Sequence, residues 1–173
     1  RDGGAQQWDR RMLKAATPAP KGLAPHDLPA GVLPGAADLG LAPDPAEEIA
    51  ATPSAGRHLL ESFLMKRGEH YRREMSSPVT AYDACSRLSP HLAWGTLSTR
   101  EVYQEAVAAQ RYHASKAYRQ SIDSFIARLH WRCHFMQKLE DEPEIEQRCM
   151  HPVYEGMREG EHDEVQLQAW LAG

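Results

Sequence analysis

A chain of 173 residues is long enough to bury a core as one domain, and a formal net charge of −4 excludes a general polyanion binder. Three cysteines without Cys-x-x-Cys spacing exclude a paired disulfide framework and fit a reducing, cytoplasmic setting. No apolar run approaches the ~20 residues a membrane-spanning helix needs.

Residues 1–14 carry Trp8 and the basic pair Arg10-Arg11 and read as the end of a preceding domain or the start of a linker. Eight of the twelve prolines fall between 15 and 56, namely Pro18, Pro20, Pro25, Pro29, Pro34, Pro43, Pro45 and Pro53. Proline lacks an amide donor and biases its predecessor away from helix, so 15–56 is expected to be a long linker. Helical patterns take over from 57 to 173. Leu59, Leu60, Phe63, Leu64 and Tyr71 predict an amphipathic helix over 57–73. The same stretch carries Arg57, Lys66, Arg67, Arg72 and Arg73, which either face a phosphate backbone or form a solvated helix face.

The run Cys85-Ser86-Arg87-Leu88-Ser89-Pro90 comes next. Ser89 reads as a helix N-cap, Pro90 as the first helical residue and Gly95 as the stop. Two hydroxyls flank an arginine where a helix starts, and unpaired N–H groups there suit a phosphate. A plain capped structural helix has the same pattern. Ser98-Thr99-Arg100-Glu101 reads as a capping box, with Val102, Ala106 and Ala109 turned inward. Ile122, Phe125, Ile126, Leu129, Cys133, Met136 and Leu139 trace a helical stripe that stops before Pro143. On it, His130 and His134 have metal-compatible spacing, but two ligands do not make a metal site. Such a pair could act as a proton donor, or be two polar surface residues. An acidic stretch over 140–164 reads as a solvated loop, and Asp163 to Gln166 caps a last helix carrying Val165, Leu167, Trp170 and Leu171. With no alternating strand pattern and no repeat, the predicted fold is all-α. It is an irregular multi-helix cluster behind an extended Pro-rich arm.

Three segments in order carry a family resemblance. Ser86-Arg87-Leu88-Ser89-Pro90, with Gly95 and Ser98-Thr99-Arg100, resembles the flavin-phosphate segment of the DNA photolyase/cryptochrome family. Leu129-His130-Trp131-Arg132 is similar to that family's Glu-Leu-x-Trp-Arg helix. Leu167 to Gly173 resembles the stretch before its Thr-Gly-Tyr-Pro motif. The resemblance covers residues 56 to 173. It implies the interdomain linker and the first part of an FAD-binding helical domain. On that basis a chain running from Arg1 to Gly173 is expected to be a piece of a longer protein. An α/β antenna domain would precede it, and the rest of the flavin pocket would follow. The piece alone is expected to purify without FAD.

The resemblance implies a deoxyribodipyrimidine photolyase-like lyase. Reduced FAD absorbs blue light and gives an electron to a pyrimidine lesion in UV-damaged DNA. The alternative is a cryptochrome-type photoreceptor that binds FAD and signals to a partner without repair. The residues implied to hold cofactor are Tyr71, Cys85, Ser86, Arg87, Leu88, Ser89 and Phe125, with Arg87 bracing the loop. Cys85 stands where the family usually has threonine and offers only a weak donor. Core packing is the competing reading of Tyr71 and Phe125. Arg128, Trp131 and Arg132 are implied to face substrate. Stacking of Trp131 on an extruded base is worth ~1–3 kcal/mol, against the alternative of a buried helix tryptophan. Arg132 is implied to contact DNA phosphate or the flavin side, against an internal ion pair. Arg128 replaces the glutamate of the repair members and turns an acceptor into a donor. It points to another lesion, another nucleic-acid partner or a cryptochrome. No catalytic residue and no metal ligand are expected among these residues.

Overall fold

The computed structural model describes residues 2–18, 20–22, 24–25, 27–29, 31–41 and 49–172, with the side chains of 2 and 3 left aside. Pro43 and Pro45 of the expected linker, and the terminal Arg1 and Gly173, lie outside the described residues. Among those residues there are eight α-helices and no strand, as the patterning predicts. They are α1 (Asp2–Met12), α2 (Pro53–Met65), α3 (Tyr71–Glu74), α4 (Ala81–Ala84), α5 (Ser89–Trp94), α6 (Thr99–Tyr112), α7 (Lys116–Asp141) and α8 (Glu164–Ala172). The chain divides into two compact units, Arg1–His130 and Trp131–Gly173. No helix among the described residues is long and apolar enough to cross a membrane.

In the first unit the N-terminal segment is ordered as a helix. Trp8 on α1 packs edge-on against Tyr103 at 5.3 Å, and Gln104 Nε2 donates to the carbonyls of Met12 (2.7 Å) and Lys14 (2.8 Å). The proline-rich stretch that follows has one 3₁₀ turn, Ala37–Leu39, among its described residues, and leaves Leu28, Val32 and Leu33 exposed.

The helix predicted over 57–73 is shifted and broken. α2 opens at Pro53 because Thr52 caps it, its hydroxyl accepting from Ala55 N at 3.2 Å with proline at the first position. It ends at Met65, and the chain continues as a 3₁₀ turn, Arg67–His70, and then α3. Gly68 explains the break. A Cβ there would lie 2.8 Å from the Phe63 carbonyl oxygen and 3.1 Å from the Phe63 ring. The turn therefore folds back onto the helix it leaves. Two bonds from α7 fix it: Ser121 Oγ donates to Glu69 O (2.9 Å) and accepts from Arg72 N (3.3 Å). Gly68→Ala is expected to cost about 1–3 kcal/mol, as overpacking against backbone does, read as a lower urea midpoint at unchanged slope.

The apolar positions of the pattern do reach the core. Leu60, Phe63, Leu64 and Tyr71 are buried, as are Val102 and Ala106 of α6 and Ile122, Phe125 and Leu129 of α7. Tyr118 joins them and donates its hydroxyl to Leu64 O at 2.7 Å. Ser98 caps α6 as predicted, accepting from Arg100 N at 3.2 Å. Glu101 turns to Arg57 at 3.8 Å instead of closing a capping box.

The second unit begins within α7. There the predicted stripe continues as helix but not as core, because Met136 and Leu139 stay about half exposed. Asp163 receives Gln166 N at 3.1 Å and Gln166 Nε2 at 2.9 Å ahead of α8. Those donors hold its carboxyl below the usual carboxylate range. Val165 and Trp170 of α8 are exposed.

Candidate functional site

The Cys85–Ser89 segment joins α4 to α5. Its shape comes from one residue: Arg87 has φ +58°, the only non-glycine residue with positive φ among the described residues. A left-handed arginine costs on the order of 1–3 kcal/mol and persists only where neighbours over-determine it. That reversal puts Leu88 in the cap position and makes Ser89 the first residue of α5. The predicted N-cap role of Ser89 is therefore not observed, and α5 has no side-chain cap bond. The predicted stop holds, since Gly95 is left-handed at φ +73°.

Leu88 anchors the segment in the core at 1% exposure. The brace is Arg67 rather than the expected Arg87. Arg67 Nε donates to Ser62 Oγ (3.1 Å), Nη2 to Leu59 O (2.9 Å) and Ser86 O (3.3 Å), and Nη1 to Cys85 O. The guanidinium also lies over the Phe63 ring, 5.9 Å from its centre. Burial, and then the charge of Arg87, lower the Arg67 pKa from its ordinary value, with Cys85 and Asp83 acting the other way. Arg87 itself is exposed and lies over the Tyr82 ring at 4.7 Å. Membership of a basic cluster concealed the role of Arg67. A cation just past a helix C-terminus, able to fold back on the last turns of the helix, is the available signal. The rest of the cluster is divided. Arg57 reaches Glu101 and Glu105 (3.7 Å), and Arg73 reaches Glu74 (3.2 Å).

Beside this segment lies a cleft of about 690 Å³. Ile49, Leu59 and Pro90 give it apolar walls, while Arg87, Ser89 and His58 bring polar groups. His91 also lines it. That side chain is 2% exposed, with Nδ1 2.8 Å from Thr96 Oγ1 and a buried Nε2 that has no partner. The donor set suits an anionic phosphate, the walls suit a flat ring, and the orphaned nitrogen suits a polar ligand atom. Of the predicted cofactor residues, Arg87 and Ser89 line the cleft, Cys85 and Ser86 are half-buried, and Leu88 is buried. A larger cleft, about 780 Å³, lies in the second unit between Asp141 and Glu155. Four carboxylates against one arginine line it, so it repels phosphate.

Tyr71 and Phe125 meet in the core, ring centres 6.0 Å apart at right angles, each also touching Phe63. Burial pushes the Tyr71 phenol up and Cys85 adds to this, while the charge of Arg128 pulls it down. Arg128 is exposed, and two residues of different expected roles, Cys85 and Arg128, act on Tyr71 here.

Burial likewise pushes the Cys85 thiol up, against the pull of Arg67. A raised pKa delays the thiolate, so with Cys133 and Cys149 replaced by serine, alkylation of Cys85 by iodoacetamide should reach half its maximal rate at a higher pH than free cysteine does. A midpoint at or below that of free cysteine contradicts the burial seen here.

In the second unit Trp131 is 51% exposed, so a buried helix tryptophan does not describe it. Its ring lies against Phe135 (5.5 Å) and edge-on to His134 (6.2 Å). Arg132 is half-buried. His130 packs on Trp8 in the first unit at 5.0 Å. Among the described residues no group of three or more His, Cys, Asp or Glu side chains could hold a metal ion.

The chain is similar to deoxyribodipyrimidine photo-lyase of Halobacterium salinarum, 33% identical over 179 positions that take in 97% of this chain and 35% of the relative. It is similar to cryptochrome DASH of Natronomonas pharaonis, 28% identical over 76% of this chain and 27% of the relative. It is also similar to deoxyribodipyrimidine photo-lyase of Streptomyces griseus, 31% identical over 69% of this chain and 23% of the relative. The chain thus spans about a third or less of the length of these curated relatives. No family model and no solved structure matches it.

Proposed function

Because the chain belongs to the DNA photolyase/cryptochrome family, we propose that it supplies the phosphate-binding part of the FAD site in a blue-light flavoprotein that acts on UV-damaged DNA. The observation that carries this reading is the left-handed turn at Arg87, which sets the Ser89 hydroxyl and the Arg87 guanidinium on one cleft. The cleft residues fit a phosphate-bearing flavin nucleotide by their donors and apolar walls, with His91 Nε2 left for a polar atom. Bound flavin supplies the light absorption and the electron.

This chain's own residues do the rest. Ser86, Arg87 and Ser89, with the backbone around Leu88, hold phosphate, whereas Cys85 already gives its N–H to Ala81 O and its carbonyl to Arg67 and anchors the segment instead. Tyr71 and Phe125 form a rigid aromatic wall behind the segment. Trp131 offers a half-exposed face for an extruded base, and Arg132 offers charge to the DNA backbone. Residues 15–52 serve as the connection to a preceding domain, the expected linker ending four residues early because α2 opens at Pro53.

A second reading, a cryptochrome-type photoreceptor without repair, is favoured by Arg128. Its positive charge acts on the Tyr71 phenol, and its guanidinium presents donors where a lesion-contacting carboxylate would accept. Illumination of the natural protein containing this sequence, with duplexes bearing a cyclobutane dimer or a (6-4) lesion, separates the two. Light-dependent loss of either lesion establishes repair and names the substrate. Bound flavin with both lesions intact establishes the photoreceptor and makes Arg128→Glu the first variant to test for gained repair.

A further inference from the structure

We propose that Arg67 is a positioning residue for the anion-binding segment, fixing the backbone of Cys85 to Leu88 in the one conformation that offers its donors to a phosphate. The proposal rests on the reading of that segment as a flavin-phosphate site. Arg67 spreads its donors over four acceptors, three of them main-chain carbonyls on two separate stretches. Leu59 O and Ser62 Oγ belong to the last turns of α2, whereas Cys85 O and Ser86 O belong to the segment itself. One side chain therefore ties the segment to the core helix immediately before the strained turn at Arg87. A carbonyl bound to Arg67 cannot face the cleft. Peptide orientation then turns the opposite edge of the same units, the N–H side, away from Arg67. Stacking over Phe63 holds the guanidinium plane.

Two consequences follow from the fork. Lysine keeps the charge but not the planar donor set, so it cannot hold carbonyls on two stretches at once. The charge itself also matters, because Arg67 and Arg87 sit close enough to repel, and an anion on the segment relieves that repulsion.

The test compares wild type, Arg67→Met and Arg67→Lys in the natural protein containing this sequence. Hydrogen exchange without added ligand reads the Cys85 amide, which donates to Ala81 O at 2.9 Å, against those of α6 and α7, and FAD titration of the flavin-stripped protein reads affinity. The proposal expects fast exchange at Cys85 in the variants with α6 and α7 still protected. It also expects FAD binding to weaken roughly tenfold in both variants, the equivalent of about one net hydrogen bond to a charged group. Unchanged exchange overturns it, and so does unchanged FAD affinity in Arg67→Met or affinity fully kept by Arg67→Lys. If wild type takes up no FAD, the phosphate-site reading fails, and exchange alone decides whether Arg67 fixes the segment. Should Arg67→Met not fold, Ser62→Ala removes one acceptor; exchange at Cys85 between wild type and Arg67→Lys supports the proposal, and wild-type exchange overturns it.

Discussion

Replacing Phe63 with alanine is expected to lower the unfolding free energy by about 3–5 kcal/mol, in the range for deleting a buried ring. Phe63 is 0% exposed and sits where three features of the fold meet. Its ring lies 4.7 Å from Phe125 and 5.5 Å from Tyr71, Gly68 packs against its backbone, and Arg67 lies over its face. Alanine therefore opens a cavity and also loosens the turn that carries the brace. A domain of this size is stable by only about 5–15 kcal/mol, so the variant would lose a large share of its margin. Urea unfolding followed by circular dichroism measures it. Leu139→Ala is the control, since that side chain is already 47% exposed and should change the midpoint little. A loss under about 1 kcal/mol for Phe63→Ala contradicts the packing described here.

Trp131→Ala is expected to weaken binding to lesion-bearing duplex by about 1–3 kcal/mol, a factor of roughly 5 to 150, with little change in thermal stability. The two readouts separate because Trp131 is half exposed and its ring contacts are with His134 and Phe135 on its own helix. Removing it costs little packing but takes away the flat face on which an extruded base would stack. Phenylalanine should restore part of the loss. Fluorescence anisotropy at fixed salt, with damaged and undamaged duplexes in parallel, is the measurement. Equal weakening toward both duplexes means a general contact rather than stacking on an extruded base. Unchanged binding removes Trp131 from the substrate face.

Much of the helical architecture was legible from local rules. Ser98 capped its helix, Gly95 ended α5 in the left-handed region, and the apolar positions of α6 and the first half of α7 turned inward. These depend on chemistry within a few residues. The misreadings share a different origin. A continuous helix over 57–73 fits every apolar position, yet it breaks because Gly68 lets the chain close on Phe63, a contact that periodicity does not encode. Ser89 has the right residue type for a cap, but the left-handed Arg87 shifts the helix start by one residue. Arg67 and Arg87 are the same residue type 20 positions apart, and only the path of the chain decides which becomes the brace. In the stripe of α7, Met136 and Leu139 have core spacing but lie in the second unit, where they stay half exposed.

The site was legible in its residue types more than in its geometry. Ser86-Arg87-Leu88-Ser89 marked the segment, but nothing in the run itself indicated that His91 would be buried beside it with one nitrogen unpartnered. Likewise, the influence of Arg128 on Tyr71 acts between residues far apart in sequence, which the run of residues does not encode.

The most direct test of the central claim, that the Cys85–Ser89 segment is a flavin-phosphate site, is the visible absorption spectrum of the natural protein containing this sequence, recorded beside its Ser86→Ala/Ser89→Ala variant. The account predicts near-stoichiometric flavin in the wild type and a clear loss of flavin in the variant at unchanged helical content. A colourless wild type that takes up no added FAD, or a variant that retains flavin as fully as the wild type, contradicts it.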